Sequence, residues 1–521
     1  TAITTGDDNT SVGYKAGYAL TTGTNNVLIG GNAGDAITTG TDNVALGRAS
    51  LTSDTLGQSS VAIGHQALFS QNFTSATHAY NVAVGKNAGL ALSTGVYNTL
   101  IGGLAGDAIT TGSNNASLGH LSLSANTTGG SNVALGAYAL YSNTTASDNT
   151  AVGKNALFVN TTGADNVAVG TSSLDANTTG ASNTGIGRSA LGANTTGASN
   201  TAVGHNALDA NTEGLYNSAL GGHALGGNTT GDNNISVGFN SSKNNTTGSD
   251  NVALGYVALS TNTTGSQNVA IGREALEKNT TASNNTAVGY QALEENTTGA
   301  YNVSVGNNSL DANTTSSYNT AVGYDSLGAN TTGAQNTAVG YTTGRGIIGA
   351  SNFNVAIGSE TLLTSGVKSY NTAIGSAVMR ATTTGSNNTG IGYSVLLANT
   401  TATNNTAVGY ASLGANTTGA SNVSVGSGAL GANTTANNNT AVGTSSLLAN
   451  TTGTSNVALG TNALGANTTA SNNTGLGFRA LHVNTTGTQN TAVGSFSLDA
   501  ITTASNNTAI GYLSGSAITT G

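Results

Sequence analysis

The chain contains no cysteine, no proline and no tryptophan, and only 6% of its 521 residues are charged. Each absence narrows the possibilities. Without cysteine there is no disulfide framework and no thiolate metal site. Low net charge and absent proline argue against a disordered chain, which normally relies on both. Twelve Lys and Arg against 21 Asp and Glu give a net charge of −9, so no basic footprint for a nucleic-acid backbone exists. No run approaches the roughly 18 apolar residues of a spanning helix, and no charged-then-apolar leader opens the sequence at Thr1.

What is present is Gly, Asn, Thr, Ala and Ser, arranged with a strict period. Aligned on the Asn that opens NVALG or NTAVG, the chain divides into 30 units from Asn9 to Asn507. Of the 29 steps between them, 27 are 17 residues long; Ser60 to Asn81 spans 21 and Asn336 to Asn354 spans 18. A fixed period of this length marks a solenoid, propeller or array. The expectation is one continuous array over residues 1–521, with register breaks near 69–80 and 345–353.

In the unit Asn251–Gln267, NVALGYVALSTNTTGSQ, position 4 is Val, Ile or Leu and position 5 is Gly, as they are in every unit. Position 3 is nearly always small, and position 9 is usually Leu. Positions 2 and 4 therefore share one face of a short strand and position 3 the other. The invariant Gly forms a corner, a second short strand carries Leu at position 9, and NTTG or NTTA closes the coil. Asn, Thr and Gly are weak helix formers, which disfavours a helical repeat. The fold expected is all-β, a parallel β-solenoid or β-roll of about thirty 17-residue coils.

One covariation tests that fold. In six units position 9 is Gly (Gly17, Gly34, Gly89, Gly106, Gly344, Gly515), and in the same six position 12 is Leu or Ile in place of Asn. Losing a buried Leu costs roughly 2–5 kcal/mol unless the volume is refilled, so both positions should reach one interior. Only two or three substantial apolar side chains per coil are then available to face inward. The core is thin for a lone chain, and the small residues at position 3 would admit another chain, so a parallel homotrimer is expected, with a single-chain solenoid as the alternative.

The units NTAVGYQALEENTTGAY (Asn285–Tyr301) and NTAVGYDSLGANTTGAQ (Asn319–Gln335) resemble the repeats of trimeric autotransporter adhesin heads, in which an N-S-V-A-I-G motif builds a left-handed parallel β-roll. They are similar also to the NTAVGYQAL-type repeats of phage and bacterial tail-fibre-like proteins, often followed by a self-cleaving chaperone domain. The resemblance covers the whole chain through one short motif. The 17-residue period is longer than the adhesin head repeat, and no chaperone, neck, stalk or anchor accompanies it. It implies a trimeric extracellular, cell-surface or virion fibre.

No catalytic set can be named. Six histidines (His65, His78, His120, His205, His223, His482) and the 21 acidic residues are scattered, so no enzyme, metal or cofactor is expected. Position 6 is basic or His in early units and aromatic later, at Tyr256, Tyr290, Tyr324, Tyr341, Tyr393 and Tyr410. Such a row could grip cell-surface glycans or a host receptor, or brace the coil corner or an inter-chain seam. The register breaks, with Phe73, His78 and Tyr80 in the first, are further binding candidates, because loops on rigid scaffolds carry function. Asn-Thr-Thr recurs as a formal N-glycosylation acceptor, at Asn126, Asn143, Asn160, Asn262 and Asn484 among others, and is equally a turn whose Asn side chains could stack.

The leading function is a structural or adhesive fibre shaft, with partners of its own kind. The alternatives are an ice-binding solenoid, for which the adjacent Thr residues of NTT are poorly placed, and a glycan-binding rod. Thr1 falls at repeat position 10 and Gly521 at position 15, without capping units, which is expected of either the ordered part of a longer protein or rods joined end to end.

Overall fold

The computed structural model describes residues 6–520, so Thr1 and Gly521, on which the end-joining expectation rests, lie outside the described residues. The described residues contain no helix and form two compact units, Thr1–Gly265 and Ser266–Gly521. Within each unit the chain is a parallel β-solenoid with one coil per repeat. Positions 2–4 form the strand, as in Thr150–Val152, Val167–Val169 and Thr184–Ile186, paired in parallel so that Ala151 faces Ala168 and Ala168 faces Gly185. Each residue thus stacks on its equivalent one coil away.

Gly at position 5 is required twice over. Gly136 and Gly153 have φ of 140° and 134°, and a Cβ on Gly136 would lie 2.5 Å from the carbonyl oxygen of Gly153. Backbone fit and coil spacing both exclude a side chain there.

The second strand expected around position 9 does not form. Repeat positions 5–12 instead trace two consecutive tight turns, seen where Ala156 N–H donates to Gly153 O (3.3 Å) and Asn160 N–H to Leu157 O (3.3 Å). Positions 7 and 9 enter the left-handed region, Asn155 at φ 58° and Leu157 at φ 52°. A left-handed Leu is costly, about 1–2 kcal/mol. It is held because Leu157 N–H donates to Ser173 O of the next coil (3.0 Å) and its side chain is fully buried, which is worth about 1.5–3 kcal/mol.

The assignment of the strand faces is reversed. Position 3 points inward, with Ala134, Ala151 and Ala168 all 0% exposed, while positions 2 and 4 point out, Leu118 at 51% and Leu135 at 37%. The reason is the narrow interior. A Cβ added to Gly185 at position 3 would sit 2.7 Å from Ser173 Oγ, and 3.4 Å from Leu174 Cδ1, so the space across the coil admits little beyond Ala. The small residues at position 3 therefore face the coil's own core, not a neighbouring chain.

Two asparagine ladders line that interior. At position 1, Asn26 Oδ1 accepts the Asn43 N–H (3.0 Å) while Asn26 Nδ2 donates to Gly40 O (2.9 Å). At position 12, Asn177 Nδ2 donates to Asn160 Oδ1 (2.8 Å) and to Gly180 O (2.9 Å), bracing the NTTG turn. The six Gly coils use the interior differently. A Cβ on Gly34 would fall 2.8 Å from both Ile37 Cδ1 and Leu28 Cδ2, so the position-12 side chain occupies the vacated space. Leu20, Ile37, Leu92, Ile109 and Ile347 are buried, and Ile518 is 39% exposed. Leu28 and Leu100 at position 3 appear where Gly coils adjoin them, contributing to the same filling.

Each register break has its own repair. In the first, Ser60 replaces the ladder Asn, and Gln71 bridges the gap by donating to Ser60 Oγ (2.9 Å) and accepting from Asn81 Nδ2 (2.9 Å). Gln71 Nε2 also donates to the buried Asp54 (2.7 Å), whose carboxyl is pushed up by burial and partly restored by hydrogen bonds from Gln71, Gly57 and Phe73. Extra chain emerges at Thr74–Ala76, and Gly57–Gln58 pairs with Thr77–His78. Beyond the second break, Lys368 stands at position 15 with its Nζ inside the coil, donating to Thr364 O and Thr382 O (2.6 Å each). Desolvation lowers its pKa to about 7.

Two outcomes are expected. Leu225→Gly should destabilise its unit by about 2–5 kcal/mol, and adding Asn228→Ile should recover part of that loss in denaturant unfolding, as a double-mutant cycle. Independent, additive losses would contradict a shared interior. For Lys368, the unfolded amine holds its proton to about 10.5 while the folded one releases it near 7. Between those values the unfolded state binds more protons, so stability rises with pH across that window. Lys368→Met should flatten this rise in melts from pH 7 to 10.

Candidate lateral interface

The outward residues of the strand produce a repeated apolar feature of the surface. Along each unit, position 4 presents Val, Ile or Leu in every coil, with Leu46 at 43%, Leu220 at 51% and Leu459 at 50% exposure. Position 2, Val, Thr, Ile, Ala or Ser, runs beside it. The stacking of equivalent residues turns a single exposed side chain into a continuous apolar column. Contiguous apolar exposure of this kind makes the column a candidate interaction surface.

Position 6 borders that column. In Thr372–Ser376, Thr389–Tyr393 and Thr406–Tyr410 the strand extends to position 6, which places Tyr393 and Tyr410 on the same face as Ile391 and Val408. The rings stack on each other: Tyr393 on Tyr410 at 5.7 Å and 10°, Tyr324 on Tyr341 at 5.7 Å and 14°, Phe239 on Tyr256 at 6.0 Å and 15°. The Arg273 guanidinium lies 5.7 Å from the Tyr290 ring centre. All six tyrosines proposed from the sequence are exposed, yet stacking spends one face of each paired ring on its neighbour. That geometry braces adjacent coils more than it presents a flat platform.

Position 17, on the other side of the strand, carries a second set of aromatics that the alignment did not single out as a column. Tyr80 stacks on Tyr97 (5.8 Å, 11°), Tyr301 on Tyr318 (5.1 Å, 0°) and Phe353 on Tyr370 (5.1 Å, 7°). The signal was present in the 17-residue spacing of each pair. Of the three first-break candidates, His78 is exposed and stacks on Tyr80 at 5.6 Å with its Nδ1 3.0 Å from Ser59 Oγ, whereas Phe73 is only 5% exposed. Phe73 is a core side chain under the inserted segment and does not belong to a binding surface.

The asparagines proposed as glycan acceptors are interior. Asn126, Asn143, Asn160, Asn262 and Asn484 are 0% exposed, and the Nδ2 of each donates to a backbone carbonyl three residues on. The folded coil has no room for a sugar at that nitrogen. Of the two threonines, the first spends its hydroxyl on the next coil, as Thr127 Oγ1 does on Thr144 O (3.0 Å), leaving one exposed column at Thr128 and its equivalents.

Stacking also assembles charged groups that look scattered in the sequence. Glu274, Glu277 and Glu294 bring ligand oxygens within 4.8 Å of one another, the group of described residues with spacing suited to a cation. Arg273 pairs with Glu274 at 2.8 Å and Lys278 pairs with Glu295, so cations of the chain already adjoin it. Burial, then neighbouring carboxylates, raises the pKa of Glu277. Asp311 is pushed up to about 6 by burial and by the charge of Asp325, which itself pairs with Arg345 at 3.0 Å. His205 and His223 meet edge to face at 5.2 Å. An open apolar cleft of about 530 Å³ lies where Gly414, Gly428 and Gly431 leave space between Leu397 and Leu448. Among the described residues no helix is long and apolar enough to cross a membrane.

No protein-family model matches the chain, and no curated protein matches it in sequence. The burial of the Asn-Thr-Thr asparagines gives a direct expectation. Folded protein made in a glycosylating host should show an intact mass of 50.6 kDa with no added hexose-containing species; stoichiometric glycan on Asn126 or Asn160 in folded material would contradict the ladder.

Proposed function

We propose that this chain is the shaft of an extracellular structural or adhesive fibre, on a cell surface or a virion, acting through self-association and not through catalysis. The observation that carries the reading is the apolar column at position 4, unbroken from coil to coil within each unit and flanked by aromatic residues. Left in water, it is an aggregation liability; covered by copies of the same chain, it becomes the second core that a thin solenoid lacks. If each coil covers on the order of 100 Å², about eight coils supply the roughly 800 Å² per partner of a standard interface.

A homotrimer is the assembly favoured. Three copies can place their flat strand faces around a common axis, and the resemblance of the repeats to trimeric adhesin heads supports the same number. The seam in this reading lies at positions 2 and 4, in place of the position-3 contact that the sequence alone suggested. Receptor or glycan contact would then fall to the faces left outside.

Replacing Leu118, Leu135 and Leu220 together by Lys tests this. These side chains point away from the coil interior, so the melting profile of the isolated chain should change little. Sedimentation should show the wild type as an oligomer and the triple variant as a monomer. A wild type that sediments as a monomer at all accessible concentrations would overturn the self-association reading.

A further inference from the structure

Position 10 of the repeat is Gly in six coils, at Gly192, Gly226, Gly328, Gly414, Gly431 and Gly465. In four of them a polar side chain from a neighbouring coil covers the vacancy. A Cβ placed there would lie 3.7 Å from Asp175 Oδ1 at Gly192, 3.3 Å from Asp209 Oδ1 at Gly226, 3.3 Å from Asp311 Oδ1 at Gly328 and 2.9 Å from His482 Nδ1 at Gly465. Gly414 and Gly431 differ. They are the one pair on consecutive coils, and in the second of those coils position 7 is also glycine, Gly428, the only one at that position in the array. The three atoms nearest a Cβ on Gly414 would all be backbone, with Ala411 O at 3.2 Å and Ser394 O at 3.6 Å; on Gly431 the one side chain among them would be Leu448, its Cδ1 at 3.1 Å. The open apolar cleft lies here. Its floor is glycine backbone and the methyl groups of Ala432 and Ala449, and Leu397 and Leu448 close its ends. Those leucines stand three coils apart, on the order of 14 Å. The volume of about 530 Å³ falls in the range of small-molecule sites, roughly 300–1,000 Å³.

The surroundings of the cleft define what it can hold. From Ala381 to Phe478 the sequence has no Asp, Glu, Lys, Arg or His, although charged residues occur throughout the coils before and after. The position-10 residue one coil before Leu397 is Arg380, and it is already paired with Glu360 at 3.1 Å. A charged group entering the cleft would lose hydration and gain no counter-charge. An uncharged one loses little. We propose that this cleft binds an uncharged molecule with a flat apolar body of about two rings, an aryl compound being the simplest example. A floor made only of glycine and alanine is covered best by a flat face, and Leu397 and Leu448 then pack against the edges of the ring system. This goes beyond the self-association proposed above and does not rest on it. The cleft is built from turn positions 7, 10 and 11, whereas the apolar column is built from strand positions 2 and 4.

The test uses N-phenyl-1-naphthylamine, an uncharged aryl probe whose fluorescence rises in apolar surroundings, titrated into the full chain. One saturable site per chain is expected. Gly414→Leu combined with Gly431→Leu should abolish it by filling the cleft. The fold already carries Leu at position 10 in Leu90, Leu363, Leu397 and Leu448, and neither glycine has a positive φ, so the melting profile of this variant should match the wild type. Gly192→Leu, the same change at a covered vacancy, should keep the site. Leu448→Ala, which removes a wall that is 43% exposed and so contributes little to the core, should weaken it. Binding that survives both the double variant and Leu448→Ala would place the probe on the strand column and overturn the proposal. The anionic relative 8-anilinonaphthalene-1-sulfonate should show no component that the double variant removes; an equal one would overturn the uncharged class. Mass photometry gives the remaining outcome. If the double variant lowers the oligomer fraction while the wild type shows no saturable probe site, the occupant is a second copy of the chain and not a small molecule.

Discussion

A chain that turns once every 17 residues must hand most of its backbone donors and acceptors to the turn above or below. No coil is satisfied alone, because most of its strand and turn N–H groups donate to an acceptor one repeat away. The period follows from this constraint, since a coil of different length keeps its neighbours in register only if the extra residues leave the ladder, as Val61 still pairs with Val82 across the longest coil. Where the length does change, the chain spends special side chains on the mismatch, Gln71 across the gap at Ser60 and Lys368 inside the coil after the 18-residue unit. The same requirement holds position 5 to Gly and makes a left-handed Leu tolerable at position 9. Local strain is accepted because each residue is fixed by two neighbours, and a gain of a hydrogen bond and a buried side chain outweighs about 1–2 kcal/mol of backbone cost.

Much of this was legible in the sequence, for identifiable reasons. The repeat, the parallel solenoid and the two register breaks follow from spacing alone. The exchange of Leu at position 9 for an apolar residue at position 12 located two positions in one interior, and the packing of Ile37 into the space beside Gly34 has that form. What parity could not decide was which face of the strand is inside. Alternation separates positions 2 and 4 from position 3, but hydrophobicity points the larger residues inward. Here the coil is narrow opposite the strand, so position 3 is mostly Ala and the Val, Ile or Leu of position 4 lies outside, while the interior is filled by Ala, Leu and Asn and, in the Gly coils, by Leu or Ile. The expected second strand failed for a related reason: two tight turns with left-handed residues leave no glycine signature when Leu, Asn or Ser occupies those positions.

The surface features were harder still, because they exist only after stacking. Glu274, Glu277 and Glu294 are separated by 3 and 17 residues and become neighbours through the repeat. The same holds for His205 with His223 and for the position-17 ring pairs. Phe73 was misplaced because an aromatic in an inserted segment reads as exposed, whereas the insertion folds over it. The Asn-Thr-Thr motif left two meanings open, and the solenoid uses the one in which the asparagine is structural.

That use bears on how long such a protein lasts. An asparagine in a flexible chain is thermolabile, because its side-chain carbonyl can be attacked by the following backbone nitrogen. In this coil the amides are sequestered from water, and their geometry is fixed by the residues they bridge. The residue that would make an unfolded copy perishable is the one whose ladder makes the folded material durable.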